Sequence, residues 1–424
     1  IDLNSGSDTG VSSTDNLTKN TAPIFTVTGL ETNDIIYLEI DNTTIAQDTA
    51  LSGTLVLEST PLIQKLLGYE VSVYSMDPTG NISDSSPAIK VRVDITAPSL
   101  TSAPNLLVSD DSGFSSNDDT TNSTQPNFSL AGLPSVLDSI QLFHELDAVT
   151  AICGAHRMRQ ATLDTVQVAT ILENNDYTFT YVLIDSAGNK SSASPGLEVT
   201  IDLTGSDQPN NPDLTVGTDS GFLDSDNITK SPSLSFTVGN LTATDSLVLL
   251  KDGLVVTSAL IESSTDTITT TTSASGTYTV YTIDIAGNLS IASGDLAVVS
   301  DQIAPDMTSV LSYLSTTSDL GVLDNDNLTN DYTPEIEAQN LTVNDSAFLY
   351  VDGVLNQRLK ADATTMLFTA DSLSDNTHAI SIKIKDIAGN LSDFAPFTMN
   401  ADLDTIAHEI RIDTQPPTIS SSAP

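Results

Sequence analysis

The sequence Asp-x-x-Gly-Asn returns four times, at Asp77 to Asn81, Asp185 to Asn189, Asp284 to Asn288 and Asp386 to Asn390, at spacings of 108, 99 and 102 residues. A period near one hundred constrains the chain to a row of similar units, each with its own core. Two further signatures keep the same beat. A closing Asp-x-x-Ala-Pro or a relative stands at Asp94 to Pro98, Asp202 to Gly205, Asp301 to Pro305 and Asp413 to Pro417. An opening Asp-x-Gly, followed after four residues by Asp-[Asn/Asp]-x-Thr, runs Asp8 to Thr18, Asp111 to Thr121, Asp219 to Thr229 and Asp319 to Thr329. The expected division is 1–97, 98–204, 205–304 and 305–417, with 418–424 opening a further linker.

Units of this size bury little surface and commonly need a staple. Cys153 is the single cysteine, so no disulfide forms within the chain. Acids are abundant: 56 Asp and Glu face 14 Lys and Arg, a formal charge of −42. That charge repels phosphate backbones and argues against nucleic acid as a partner. Asp outnumbers Glu by 45 to 11, and the short carboxylate suits tight loops and hard cations better than it suits a merely soluble surface. No run of 18 apolar residues is present, so membrane insertion is not expected. No basic, apolar leader precedes Ile1, and Ser420 to Pro424 resemble the start of another linker. The chain is therefore read as a segment of something longer.

Between the markers lie runs such as Phe25-Thr-Val-Thr, Ile36-Tyr-Leu-Glu-Ile, Tyr69-Glu-Val-Ser-Val-Tyr and Ile89-Lys-Val-Arg-Val. Their period of two, β-branched content and Gly, Asn, Asp and Pro borders predict half-buried antiparallel strands. About seven such strands per hundred residues predict an all-β chain of Greek-key β-sandwiches.

The run from an Asp-Asn-Leu-Thr loop through an Asp-Gly turn (Asp252-Gly253, Asp352-Gly353) to Asp-x-Ala-Gly-Asn and Asp-x-x-Ala-Pro resembles the bacterial immunoglobulin-like repeats of giant secreted adhesins. The resemblance covers essentially the whole chain. It implies four tandem immunoglobulin-like sandwiches in an elongated rod, on the order of 150 Å at roughly 3.3 Å per strand residue, and calcium between domains. Tryptophan and a cysteine pair are missing, so only the sandwich is carried over from antibody domains.

In a sandwich of this topology the opening loop and the end of the last strand share one pole, and the hairpin of Asp-x-x-Gly-Asn lies at the other. Carboxylates of consecutive units then meet: Asp8, Asp15, Asp94 and Asp185; Asp111, Asp118, Asp202 and Asp284; Asp219, Asp226, Asp301 and Asp386. Half-sites remain at Asp77 and at Asp319, Asp326 and Asp413. Two ionised carboxylates at ~4 Å repel by roughly 4 kcal/mol at an effective dielectric near 20. Calcium, with six to eight oxygen ligands, removes that repulsion, whereas magnesium demands stricter geometry and zinc wants His or Cys. One Asp-x-x-Gly-Asn alone would be a plain hairpin turn; its recurrence beside two other acidic signatures favours the ion. The pattern does not single out the direct ligands, and backbone carbonyls are expected to complete the shell.

Asp34, Asp138, Asp245 and Asp345 fall in the loop between the second and third strands, as turn residues or outer ligands. Asn-x-Ser/Thr triplets at Asn16, Asn81, Asn189, Asn227, Asn288, Asn327 and Asn390 coincide with the repeat loops and are read as structure rather than glycosylation. The second unit carries a longer segment, His144 to Asp164, with Cys153, His156, Arg157 and Arg159, expected as a solvent-facing loop. Residues 402–409 form another excess, without a functional account. No nucleophile elbow, phosphate loop or dinucleotide fingerprint occurs, so no enzyme is expected. The function expected is a monomeric, extracellular stalk at a bacterial cell surface, stiffened by calcium, which meets a host-cell or biofilm surface through other parts of the protein. The alternative is direct binding of a host glycan or protein by one or more of the repeats.

Overall fold

The structure, a computed structural model, describes residues 1–113, 115–131, 139–146, 149–154, 157–158, 164–323, 326–395 and 409–418. It divides into two compact units, Ile1–Gly205 with Ile283–Asn288, and Ser206–Thr282 with Leu289–Pro424. Every regular element among the described residues is a β-strand, and no helix is long and apolar enough to cross a membrane. The all-β expectation and the four sandwiches hold.

The first repeat shows the plan. Its strands are β1 (Asp2–Leu3), β2 (Leu17–Thr18), β3 (Ile24–Thr28), β4 (Ile35–Ile40), β5 (Thr43–Thr49), β6 (Thr54–Glu58), β7 (Lys65–Met76) and β8 (Ile89–Val93). One sheet has the order β1-β3-β6 and the other β2-β8-β7-β4-β5. All pairings are antiparallel except β2 with β8, which run parallel with Leu17 opposite Arg92. Alternation decides which side faces in: in β4, Ile36, Leu38 and Ile40 are buried while Ile35, Tyr37 and Glu39 lie between them on the outer face. β4 and β5 are joined by Asp41 and Asn42 at φ of 49° and 63°. Asp252-Gly253 and Asp352-Gly353 make the same two-residue turn at φ of 50° and 80°, and 52° and 76°, the left-handed pair that matches strand twist.

The other repeats keep this order. Each has a three-stranded sheet facing a sheet of five strands, or of six in the second repeat. At the centre of each core two residues face one another across the smaller sheet: Phe25 and Leu57, Phe128 and Val166, Phe236 and Ile268, and Ile336 and Phe368. The aromatic ring changes strand in the fourth repeat while the pair keeps its combined bulk, as a close-packed interior requires. All four phenylalanines are fully buried.

A second anchor stands where the chain enters the long strand before each Asp-x-x-Gly-Asn turn. The Tyr69 hydroxyl donates to the Ile63 carbonyl at 2.9 Å and that of Tyr278 to the Ala274 carbonyl at 2.8 Å, while that of Tyr177 accepts from the Glu173 amide at 3.3 Å. These are tyrosine corners of the immunoglobulin type. The fourth repeat uses His378 instead, with Nε2 2.9 Å from the Ser374 carbonyl and Nδ1 2.8 Å from Asp352. One more antibody-type hallmark than expected is therefore present.

The described residues of the segment 144–164 do not form the solvent-facing loop expected. His144 sits within the strand Ser139–Leu146, its ring edge-on to Tyr177 at 5.3 Å, and Val149–Ile152 adds a strand to the same sheet. Cys153 turns into the core at 1% exposure, and burial pushes its thiol up to about 12. Arg157 lies in a short strand paired to Ile140. Asp138, His156, Arg159, residues 402–408 and 419–424, and Asp324 and Asn325 lie outside the described residues.

Candidate functional site

Each opening Asp is set by a turn of its own loop. The amides of Asp8, Asp111, Asp219 and Asp319 donate to the carbonyls of Asn4, Leu107, Thr215 and Ser315 four residues earlier, which carries the side chains inward to 3–5% exposure. Asp8 Oδ2 accepts the Asn16 amide at 3.2 Å and Asp219 Oδ2 that of Asn227 at 3.3 Å. Those donors stand in left-handed conformations, Asn16 at φ 56° and Asn227 at φ 59°, which asparagine tolerates well. The other oxygen, Oδ1, of Asp8, Asp111 and Asp219 is buried without a hydrogen-bond partner. Such an orphan costs ~1–3 kcal/mol or more unless something meets it.

The second acid of each loop lies alongside. Burial raises the pKa of Asp8, and the neighbouring charge of Asp15 raises it further. Asp111 behaves alike beside Asp118 and Asp119, and Asp219 beside Asp226, Asp213 and Asp224. Asp15, Asp118, Asp226 and Asp326 each use Oδ1 to cap the amide two residues on, at 3.1 Å. The closing acids do the same: Asp94 to Thr96, Asp202 to Thr204, Asp301 to Ile303 and Asp413 to Gln415, at 2.9–3.1 Å. Their own amides donate to Thr18, Thr121, Thr229 and Thr329, so linker and opening loop are one piece.

The Asp-x-x-Gly-Asn turns are self-contained. Asp185 Oδ1 accepts the amides of Ala187 and Asn189, at 3.0 and 2.8 Å, and Oδ2 accepts Asn189 Nδ2 at 2.9 Å. Asp284 and Asp386 are held by Asn288 and Asn390 at the same distances. The second hydrogen of each asparagine amide crosses the joint: Asn189 to the Asp94 carbonyl at 2.8 Å, Asn288 to that of Asp202 and Asn390 to that of Asp301 at 2.9 Å.

Glycines let the two loops meet backbone to backbone. A Cβ on Gly10, Gly113 or Gly221 would stand 2.0–2.1 Å from the carbonyl oxygen of Ser186, Ile285 or Ile387. Thr9 Oγ1 donates to the Ala187 carbonyl at 2.6 Å and Ser220 Oγ to that of Ala388 at 2.9 Å, with Ser112 bonded likewise to Ala286. Lys19 Nζ reaches the Gly188 carbonyl at 2.6 Å and Lys230 Nζ that of Gly389 at 2.7 Å. The motif glycines and asparagines were visible in the sequence as turn residues. That they also carry the joint was not, because the partners lie between 86 and 178 residues away.

Asp77 makes the same internal turn, and Asn81 and Thr79 hold its carboxyl well below the usual range. A Cβ at Gly80 or Gly321 would meet no atom closer than 3.5 Å. Between the third and fourth repeats a cavity of about 820 Å³ is lined by Asp226, Asp301, Asp345 and Asp386. Asp345 is 6% exposed. Burial, with Asp386 and Asp301 near it, pushes its pKa up to about 6.

The structure thus pairs the two acids of the first three opening loops and ties the first three closing acids to the next turn. Among the described residues no three acidic, His or Cys side chains stand close enough to hold a metal ion. The donor chemistry nonetheless suits a hard cation: buried orphan carboxylate oxygens, paired like charges and loop carbonyls.

Several solved structures are similar to this chain. They include a Ca2+-stabilised adhesin that helps an Antarctic bacterium reach out and bind ice, 14% identical over 88% of this chain and 92% of that one, TM-score 0.31. A tetra-tandem repeat from the extending region of a large adhesion protein is 15% identical over 93% and 96%, TM-score 0.27. The BSP domain of a biofilm-associated protein is 11% identical over 96% and 94%, TM-score 0.17. No curated protein matches the sequence. Residues 1–95, 97–203 and 307–405 match the bacterial Ig-like domain, and the chain belongs to that family.

Proposed function

We propose that this chain is an extending segment of a bacterial cell-surface adhesin, a non-enzymatic stalk whose joints are stiffened by calcium. The reading rests on one observation: the same pair of loops docks at three successive joints, each beside a buried Asp whose Oδ1 lacks a partner. A repeated, backbone-level joint suits a task of transmitting position and force, and the family membership supports a bacterial source. Asp8 and Asp15 would hold the ion at the first joint, with Asp94 and Asp185 beside them. Asp111, Asp118, Asp202 and Asp284, then Asp219, Asp226, Asp301 and Asp386, would serve at the next two, and Asp345 joins the third. A bound cation would meet the orphan oxygens and cancel the repulsion between paired acids. The protein would work outside the cell, as a monomer, with adhesion carried by other parts of the full polypeptide.

The test is calorimetry and small-angle scattering of the whole chain in millimolar calcium and in chelator. Calcium should raise the first unfolding transition and lengthen the maximum dimension. Unchanged values in both would defeat the calcium joint.

A further inference from the structure

The outer face of the larger sheet in the fourth repeat gathers positive charge on an acidic chain. Arg358, Lys360, Lys383 and Lys385 lie there, four of the fourteen Lys and Arg in the sequence. Register places them in two rows. Phe348 stands between Arg358 and Lys383, and Ser346 between Lys360 and Lys385. The equivalent positions in the first repeat hold Gln47, Tyr74, Thr49 and Met76 around Tyr37 and Ile35. In the third repeat Ser258 and Leu260 replace Arg358 and Lys360. The charge is therefore not a demand of the fold.

Aromatic rings lie against three of these cations. Lys383 Nζ is 4.1 Å from the Phe394 ring centre, Arg358 Cζ 5.4 Å from that of Phe348, and Lys360 Nζ 5.4 Å from that of Phe222. Tyr350 packs edge-on against Phe394 at 5.2 Å. Phe394 and Phe222 remain 47% and 49% exposed. Among the described residues none of the four cations forms an ion pair, although 56 acids are at hand. Charges left unpaired but held by ring contacts are preorganised for an external anion.

We propose that this face binds an acidic polysaccharide, a polymer of sugar rings bearing carboxylate or sulfate groups. Two strand spacings set the cations of a row about 10 Å apart, and two residues along a strand set the rows about 7 Å apart. Four charges so spread do not converge on one small anion; they match groups repeated along an extended chain lying on a flat sheet. The half-exposed rings offer apolar surface to sugar C–H faces. Nucleic acid suits the face less well, because the rings are engaged by their own cations rather than open for base stacking, and its dense phosphates meet the net charge of the whole chain.

The experiment uses the complete chain on surfaces carrying polygalacturonate, dextran sulfate, neutral dextran and single-stranded DNA, with and without chelator. Binding is expected to one or both acidic polysaccharides, which also separates carboxylate from sulfate, and to weaken as salt screens the charges. Arg358→Gln with Lys383→Gln should weaken it about tenfold or more, at a factor of up to about five per exposed pair. Lys65→Gln, at a lysine already paired with Asp41, should leave it unchanged. If the double variant melts early, Arg358→Gln with Lys385→Gln replaces it. Equal binding to neutral dextran, preference for DNA, self-association without polysaccharide binding, or binding that vanishes in chelator and ignores these substitutions would each overturn the proposal. The chelator arm keeps it separate from the calcium joint, since the face requires no metal.

Discussion

Replacing Gly10 by alanine separates the docking of neighbouring repeats from the conformation of the loop itself. The added Cβ would lie 2.0 Å from the Ser186 carbonyl oxygen and 2.8 Å from the Ala187 carbonyl carbon, at a φ of +102°. Backbone cannot yield that distance, so the turn must leave. Gly80 is the control, with a φ of +94° and nothing within 4 Å. Both substitutions carry the left-handed strain of ~1–2 kcal/mol, but only Gly10→Ala also breaks the joint. Undocking frees the bonds from Thr9 to Ala187, Lys19 to Gly188 and Asn189 to Asp94. At ~1 kcal/mol net for each, Gly10→Ala should cost ~2–3 kcal/mol more at the joint than Gly80→Ala. Hydrogen exchange followed by mass spectrometry reads this locally, without the two-state assumption that a four-domain chain violates. Amides of residues 9–19 should exchange roughly 30- to 150-fold faster in Gly10→Ala and at the parent rate in Gly80→Ala. Equal rates in the two variants would mean that the docked loops contribute nothing to the joint.

Asn288→Ala removes the bonds to Asp284 and to the Asp202 carbonyl and should cost ~1–2 kcal/mol, seen as faster exchange across 284–288 with the third core unchanged. Asp345 has a folded pKa near 6 against an ordinary 3.8, so the folded state keeps a proton that the unfolded chain releases between those values. In chelator the fourth repeat should therefore melt higher at pH 5 than at pH 8, while the increment given by calcium, which needs the carboxylate, should be larger at pH 8; a flat profile would remove Asp345 from the joint. Cys153, with its buried thiol pushed up to about 12, should ignore thiol reagents at pH 8 in the native chain and react once per chain after denaturation. Phe236→Ala in the third core should cost ~3–5 kcal/mol, lowering one calorimetric transition and leaving the others in place.

The sandwich was legible because alternation such as Ile36-Tyr-Leu-Glu-Ile reports burial residue by residue, and a one-residue slip would invert the sheet. The tyrosine corners were not, since the bond from Tyr69 to Ile63 depends on how the chain turns, and His378 in the fourth repeat hides the pattern further. The burial of Cys153 is not legible, because the length of the second repeat carries no register: extra residues there extend a strand and turn the thiol inward. At the joint, carboxylates were legible as a class, through their spacing and excess. The asparagine of the turn was not, because its second amide hydrogen goes to a backbone carbonyl, which carries no sequence signal of its own.

The two sides of the joint differ in how much they depend on one another. Gly80 keeps a φ of +94° with nothing docked on it, close to the +89°, +90° and +97° of the docked Gly188, Gly287 and Gly389. The Asp-x-x-Gly-Asn turn is thus formed before docking, held by its own residues Asp77, Thr79 and Asn81 in the first repeat. On the opposite side Gly10, Gly113 and Gly221 have φ of +102°, +99° and +126°, whereas Gly321, which meets no turn within this chain, does not share that conformation. The opening loop therefore adapts to a preformed partner. Ordering that loop consumes part of the docking energy, and a cation drawn to Asp8 and Asp15 would order it in advance. Calcium would then strengthen the joint even where it touches no atom of the turn, and substituting Asp15 should weaken docking as much as substituting Asp185.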